Sequence, residues 1–151
     1  MAAAILGTRA MEAGVPLRVD SAGTSGWHIG AEAHPQTQRE LAAHGIRVDH
    51  RARAFAASEF TSLDLVLAMD SANELFLRNL TSTPTELARI RLIRSFDTDS
   101  PPGAEVPDPY YDEPDRYREV FEMLDAACRG LVDRLRIDGP RSLGADPTGA
   151  S

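Results

Sequence analysis

Leu63-Asp64-Leu65-Val66-Leu67-Ala68-Met69-Asp70-Ser71 is the stretch whose reading decides the fold. Six of its first seven residues are apolar, the near-continuous pattern of a short strand buried on both faces rather than the alternation of a half-exposed one. Asp70 or Ser71 then offers an acceptor that can cap the helix running on to about Leu80. A buried strand feeding directly into a capped helix is half of a βαβ unit. The same grammar recurs outward along the chain. Ile90 to Ile93 reads as another buried strand, and Leu17-Arg18-Val19-Asp20 as a short alternating one. Met1 to Ala13 reads as a helix ended by Gly14, and Pro35 opens a second helix that reaches about His44, with Gly45 just beyond. Ser58 can cap a short helical turn. Pro114 starts the last helix, whose apolar positions Val120, Phe121, Leu124, Ala127, Cys128, Leu131 and Leu135 recur at helical spacing.

Helices alternating with short apolar strands predict an α/β domain of three layers, a parallel sheet flanked by helices. No repeat or linker divides the chain, so residues 1–137 are expected to form one domain and residues 138–151, rich in Gly, Pro and Ser, a disordered tail. In such folds ligands bind at the carboxyl ends of the strands. The loops after Asp20, Met69 and Ile93 are therefore the places to look for chemistry. The third runs from Ser95 to Glu113, carries Pro101, Pro102, Pro107 and Pro109, and is unusually long.

Bulk properties narrow the classes. The chain has 151 residues, 42% hydrophobic and 26% charged, with a formal net charge of -7. That balance is ordinary for a globular domain and argues against nucleic acid as a partner. The basic stretch from Arg47 to Arg53 is expected to be a solvated surface segment. A single cysteine, Cys128, excludes an internal disulfide and a cysteine zinc cage, and fits a reducing cytosol. His28, His34, His44 and His50 have no metal-ligand spacing, so no metal or cofactor is expected. No segment is long and apolar enough to span a membrane, and Met1 to Leu6 lacks the basic lead of a secretory signal.

Two features stand out. The chain opens on a helix where a parallel α/β domain ordinarily opens on a strand, and the sheet is thin for the number of helices. In addition, Val106-Pro107-Asp108-Pro109-Tyr110-Tyr111-Asp112 sets a carboxyl between two prolines and beside two aromatics. Such a carboxyl suits a general acid facing an aromatic leaving group. On the residues alone it better suits a turn in which Asp is the hydrogen-bonding residue and the tyrosines cover the core edge.

Several segments, in order, resemble one family, the low-molecular-weight protein tyrosine phosphatases. They are Val19-Asp20-Ser21-Ala22-Gly23-Thr24 with Trp27-His28-Ile29-Gly30, His50-Arg51-Ala52-Arg53, Asp64 to Asp70 with Asn73, and Asp108-Pro109-Tyr110-Tyr111. Arg94-Ser95-Phe96-Asp97 looks most like actinobacterial members. The resemblance implies a four-stranded parallel sheet and phosphotyrosine hydrolysis through a phosphocysteine. A Cys-x5-Arg loop would hold the phosphate on backbone N–H groups at a helix amino terminus, and an aspartic acid would protonate the departing phenol. It further implies that Asp108 is the general acid. Trp27, His28, Tyr110 and Tyr111 would line the substrate pocket, and Ser21 and His50 would brace the phosphate loop. Met1 falls where the family's helix begins, so the first strand, the nucleophile and the phosphate-binding arginine are expected upstream of this sequence, leaving the 151 residues inactive and poorly folded alone. Asp70 is expected to be only a helix cap. Cys128, at helical spacing on an apolar face and away from any glycine-rich loop, is expected to be structural.

The implied partner is a phosphotyrosine protein met by a cytoplasmic monomer, secretion of a full-length form being compatible with the same reading. Two other readings stay in view: a non-catalytic remnant that binds phosphoproteins, and an arsenate reductase. The second would need further cysteines to pass oxidation along.

Overall fold

A computed structural model gives the architecture and describes residues 1–24, 29–109, 113–140 and 143. In chain order the helices and strands are α1 (Ala2–Glu12), α2 (Pro35–Ala43), β1 (Val66–Ala68), α3 (Ser71–Leu80), α4 (Pro84–Ala88), β2 (Ile90–Leu92) and α5 (Pro114–Asp138), with 3-10 turns at Ala57–Thr61 and Ile93–Phe96. Strands β1 and β2 pair in parallel, with Val66 opposite Ile90 and Ala68 opposite Leu92. The crossover between them is α3 with α4, as a parallel pair requires. A parallel bridge joins Gly23 to Ala54.

The continuous apolar run of β1 has its expected cause. Val66 and Ala68 are buried in one core with Phe60, Leu77 and Ile90. Leu65, Leu67 and Met69 rest on the other core, which is built from Ile5, Leu6, Ala10, Ile93, Val106 and the inner face of α5. Successive side chains of a strand point to opposite faces, so one strand serves both cores and helices cover each side. That is the predicted three-layer α/β arrangement. Tyr117, Phe121, Leu124, Cys128 and Leu131 form the buried stripe of α5. Burying each of the larger ones contributes roughly 1.5–3 kcal/mol.

α1 lies on α5, and an ion-pair chain crosses that contact. Arg9 Nε donates to Asp125 Oδ1 at 2.6 Å, and Arg129 Nε donates to Asp125 Oδ2 at 3.0 Å. Burial pushes the Asp125 carboxyl up, but the hydrogen bonds from Arg9 and Arg129 outweigh it and hold the group below its ordinary range. Gly14 ends α1 at φ 69°, the left-handed conformation that glycine adopts without a Cβ penalty, and Val15 N–H closes back on the Ala10 carbonyl.

Several local expectations change. Residues 17–20 form no strand: an alternating segment becomes one only by bonding to a neighbour, and no ladder runs along it among the described residues. Only Val19 there rests on the core. Ser58 lies inside its 3-10 turn rather than capping it. The cap comes from Glu59, whose carboxylate accepts from the Ala56 N–H at 2.7 Å. Ile93 belongs to a 3-10 turn rather than to β2. α4 is an addition. Its signal was the Thr83-Pro84-Thr85-Glu86 pattern, in which Thr83 Oγ1 accepts from the Glu86 N–H at 3.1 Å and proline holds the first helical position. Of the expected tail, Leu143 is buried on the main core, while residues 141–142 and 144–151 lie outside the described residues.

Candidate functional site

The carboxyl ends of β1 and β2 converge on the long proline-rich loop. At the end of β1, Asp70 caps α3, accepting from the Asn73 N–H at 2.7 Å, which is the role expected for it. The next backbone N–H, that of Ser71, donates to Glu105 Oε1 at 2.8 Å. Val106 N–H donates to the Met69 carbonyl at 2.8 Å, and the Val106 side chain is buried in the main core. From the turn after β2, Arg94 Nη1 donates to the Glu105 carbonyl at 3.1 Å. Ser100 Oγ folds the start of the loop back onto that turn, donating to the Arg94 carbonyl at 2.7 Å. Glu105 and Val106 therefore fasten the loop to both strands. Asp108 follows two residues after Val106, beyond Pro107, with its side chain exposed to solvent. The hydroxyl and N–H of Ser71 keep the Glu105 carboxyl below its ordinary range.

The loop after residue 20 is stapled to residues 50–55. Ser21 Oγ and His50 Nδ1 are 3.0 Å apart, so the two residues expected to brace the phosphate loop meet across 29 positions of chain. Beside them Asp20 accepts from the Ser21 N–H at 2.8 Å and pairs with Arg53 at 2.9 Å. The Ser21 N–H chiefly, with Arg53 adding to it against the cost of burial, holds the Asp20 carboxyl low. Arg53 also pairs with Glu59 at 2.7 Å, and Arg51 with Glu32 at 3.2 Å. The basic stretch expected to be merely solvated is thus partly committed. Arg53 joins two loops through opposite charges, and backbone bonds from Gly23 to Arg53 and from Phe55 to Gly23 complete the seam. A polar cavity of about 120 Å³ lies behind it, lined by Glu32, Gln38, Val48, Asp49, His50 and Arg51 among others.

Trp27, His28, Tyr110 and Tyr111, the expected pocket wall, lie outside the described residues. Ile29, which follows the first pair, is 65% exposed.

Cys128 is fully buried on α5, and burial pushes its thiol up to about 12, far from a thiolate at neutral pH. The sequence does place an arginine, Arg134, at the sixth position after it, the interval of a Cys-x5-Arg loop. Both residues stand in one regular helix, however, where six positions correspond to about 9 Å along the axis and about 120° around it. Such a pair cannot wrap an anion. Arg134 instead lies over the Phe96 ring, 5.9 Å from its centroid. No cluster of His, Cys, Asp and Glu able to hold a metal ion occurs among the described residues.

Glu105 and Arg94 were not singled out as site residues by sequence reasoning. Their partners are distant in the chain, 34 positions for Ser71–Glu105, and no local pattern announces them.

Residues 1–141 match the sequence profile described as low molecular weight phosphotyrosine protein phosphatase. A low molecular weight protein-tyrosine-phosphatase of Streptomyces coelicolor is 44% identical over 139 residues, covering 90% of this chain and 85% of that protein. Low molecular weight protein-tyrosine phosphatase A of Mycobacterium tuberculosis is 41% identical over 132 residues, covering 84% of this chain and 78% of that one. Among solved structures, a protein tyrosine phosphatase of Entamoeba histolytica superposes with a TM-score of 0.83 at 28% identity, covering 89% of this chain and 86% of its own.

Proposed function

The chain belongs to the low molecular weight phosphotyrosine protein phosphatase family, and on that premise we propose that it hydrolyses phosphotyrosine in proteins when it is joined to a Cys-x5-Arg loop that these 151 residues do not contain. In this reading the thiolate of that loop attacks phosphorus and the P–O bond to the phenol breaks. Asp108 gives its proton to the departing phenolate oxygen, then takes one from the water that releases phosphate from cysteine. Trp27, His28, Tyr110 and Tyr111 face the aromatic ring, and Ser21 with His50 supports the loop. The loop itself binds the phosphate oxygens through backbone N–H groups and its arginine.

The observation that carries the reading is the Val106 N–H bond to the Met69 carbonyl. It brings the Asp108 loop to the carboxyl end of β1, the edge at which α/β folds bind ligands. The Ser21–His50 contact is compatible with it, since it brings together the two residues assigned to brace that loop. Cys128, buried and with its thiol pushed up to about 12, is unsuited to act as the nucleophile in this reading.

The purified 151-residue protein should release no phosphate from p-nitrophenyl phosphate or a phosphotyrosine peptide, and Cys128 should carry no label after quenching with radiolabelled substrate. A form carrying the loop should turn over and trap phosphate on the loop cysteine. Turnover by residues 1–151 that disappears in Cys128→Ser would overturn the account. Tight phosphotyrosine binding without turnover in the loop-bearing form would favour a non-catalytic binding module instead.

A further inference from the structure

Resting on the phosphatase reading, we propose that Glu105 and Arg94 are positioning residues for Asp108, fixing the loop that carries it to the ends of both strands. Prolines make a segment stiff, but stiffness does not aim it: a rigid loop still needs fixed points on the scaffold. Glu105 supplies two at one residue. Its carboxylate accepts from the Ser71 N–H at 2.8 Å, at the start of the helix that follows β1. Its carbonyl accepts from Arg94 Nη1 at 3.1 Å, in the turn that follows β2. A third fixed point comes one residue later, where Val106 bonds to Met69. Only Pro107, with its locked φ, separates that point from Asp108, so the fixed backbone ends one residue short of the acid.

The two bonds differ in kind. The carboxylate bond is charge-assisted and sits at a helix amino terminus, where the dipole favours an anion. The arginine reaches main chain and therefore reads the position of the loop, whatever its side chains. Arg94 Nε is buried with no hydrogen-bond partner among the described residues. The bond to the Glu105 carbonyl is made by Nη1 of the same guanidinium.

A surface helix cap would affect melting alone, whereas a positioning residue must alter chemistry in proportion to the need for a proton. In the loop-bearing enzyme, kcat/KM is compared for phenyl phosphate, a poor leaving group, and for p-nitrophenyl phosphate, a good one. Glu105→Ala should lower the first about five- to tenfold and the second less than twofold, short of the roughly 10²–10⁴ a general acid supplies outright. Glu105→Gln, whose amide oxygen still accepts from Ser71, should recover most of the loss. Arg94→Gln should reproduce the pattern of Glu105→Ala and serves as its check. An unchanged ratio between the substrates in both Glu105→Ala and Arg94→Gln, with only a lower melting temperature, would overturn the proposal. Asp108→Asn run alongside separates the two levels: if it too discriminates nothing, the acid assignment fails and the positioning role falls with it.

Discussion

Gly130 of α5 lies directly against the main chain of Phe96, so closely that a Cβ at 130 would occupy the space of the Phe96 carbonyl oxygen. The helix can approach the turn after β2 only because residue 130 has no side chain. The obstacle is backbone, which cannot rotate aside. Gly130→Ala should therefore destabilise the protein by about 1–3 kcal/mol despite the better helix propensity of alanine. Thermal unfolding reads this directly, and a melting temperature equal to or above that of the wild type would show that the contact is looser than described.

The Arg9–Asp125–Arg129 chain gives stability a pH dependence of known sign. The folded carboxyl titrates below its ordinary value, and the unfolded one at about 3.9. Its contribution is complete above that unfolded value and is lost as pH falls through the folded one. Asp125→Asn should lower the melting temperature at pH 7 and lower it by less at a pH well below the unfolded value, as the wild-type carboxyl itself takes up a proton. A deficit of the same size at both values would show that the aspartate acts by packing rather than by charge.

Cys128 should resist a thiol reagent in the native protein. With full burial and a thiol pushed up to about 12, thiolate is scarce and unreachable at pH 8. Reaction should require unfolding, so modification rates should rise together with the denaturant-induced transition. Rapid stoichiometric modification under native conditions would contradict the structural role.

The layers of the fold were legible because β1 must serve two cores. The unbroken Leu65-Val66-Leu67-Ala68-Met69 run records both faces at once, and Asp70 marks the helix start with its own side chain. Residues 17–20 show the limit of such reading. Leu17 and Val19 alternate as a strand would, yet a strand is a property of a pair, and pairing is written in no single segment. Among the candidate site residues, Asp108 was visible through its flanking prolines. A bracing role for Ser21 and His50 was expected through resemblance, but their contact with each other was not foreseen. Glu105 stayed hidden because an acidic residue in a proline-rich loop looks like any solvated charge until Ser71 and Arg94 are seen to hold it.

The Ser21–His50 bond should matter for rate without favouring either class of leaving group, since bracing a phosphate loop serves every substrate alike. Ser21→Ala in the loop-bearing enzyme should cost about 0.5–1.5 kcal/mol of stability, the net worth of one hydrogen bond, and slow phenyl and p-nitrophenyl phosphate by equal factors. A selective effect on the poorer leaving group would move Ser21 into the proton-transfer machinery and out of a supporting role.

The most direct test of the account is the response of Asp108→Asn to leaving-group basicity across a series of substituted aryl phosphates. If Asp108 protonates the departing phenol, kcat/KM in the variant should fall by about 10²–10⁴ for the most basic leaving groups and progressively less as they become more acidic, steepening the dependence on phenol pKa. A uniform fall across the series, with the wild-type slope retained, would contradict it.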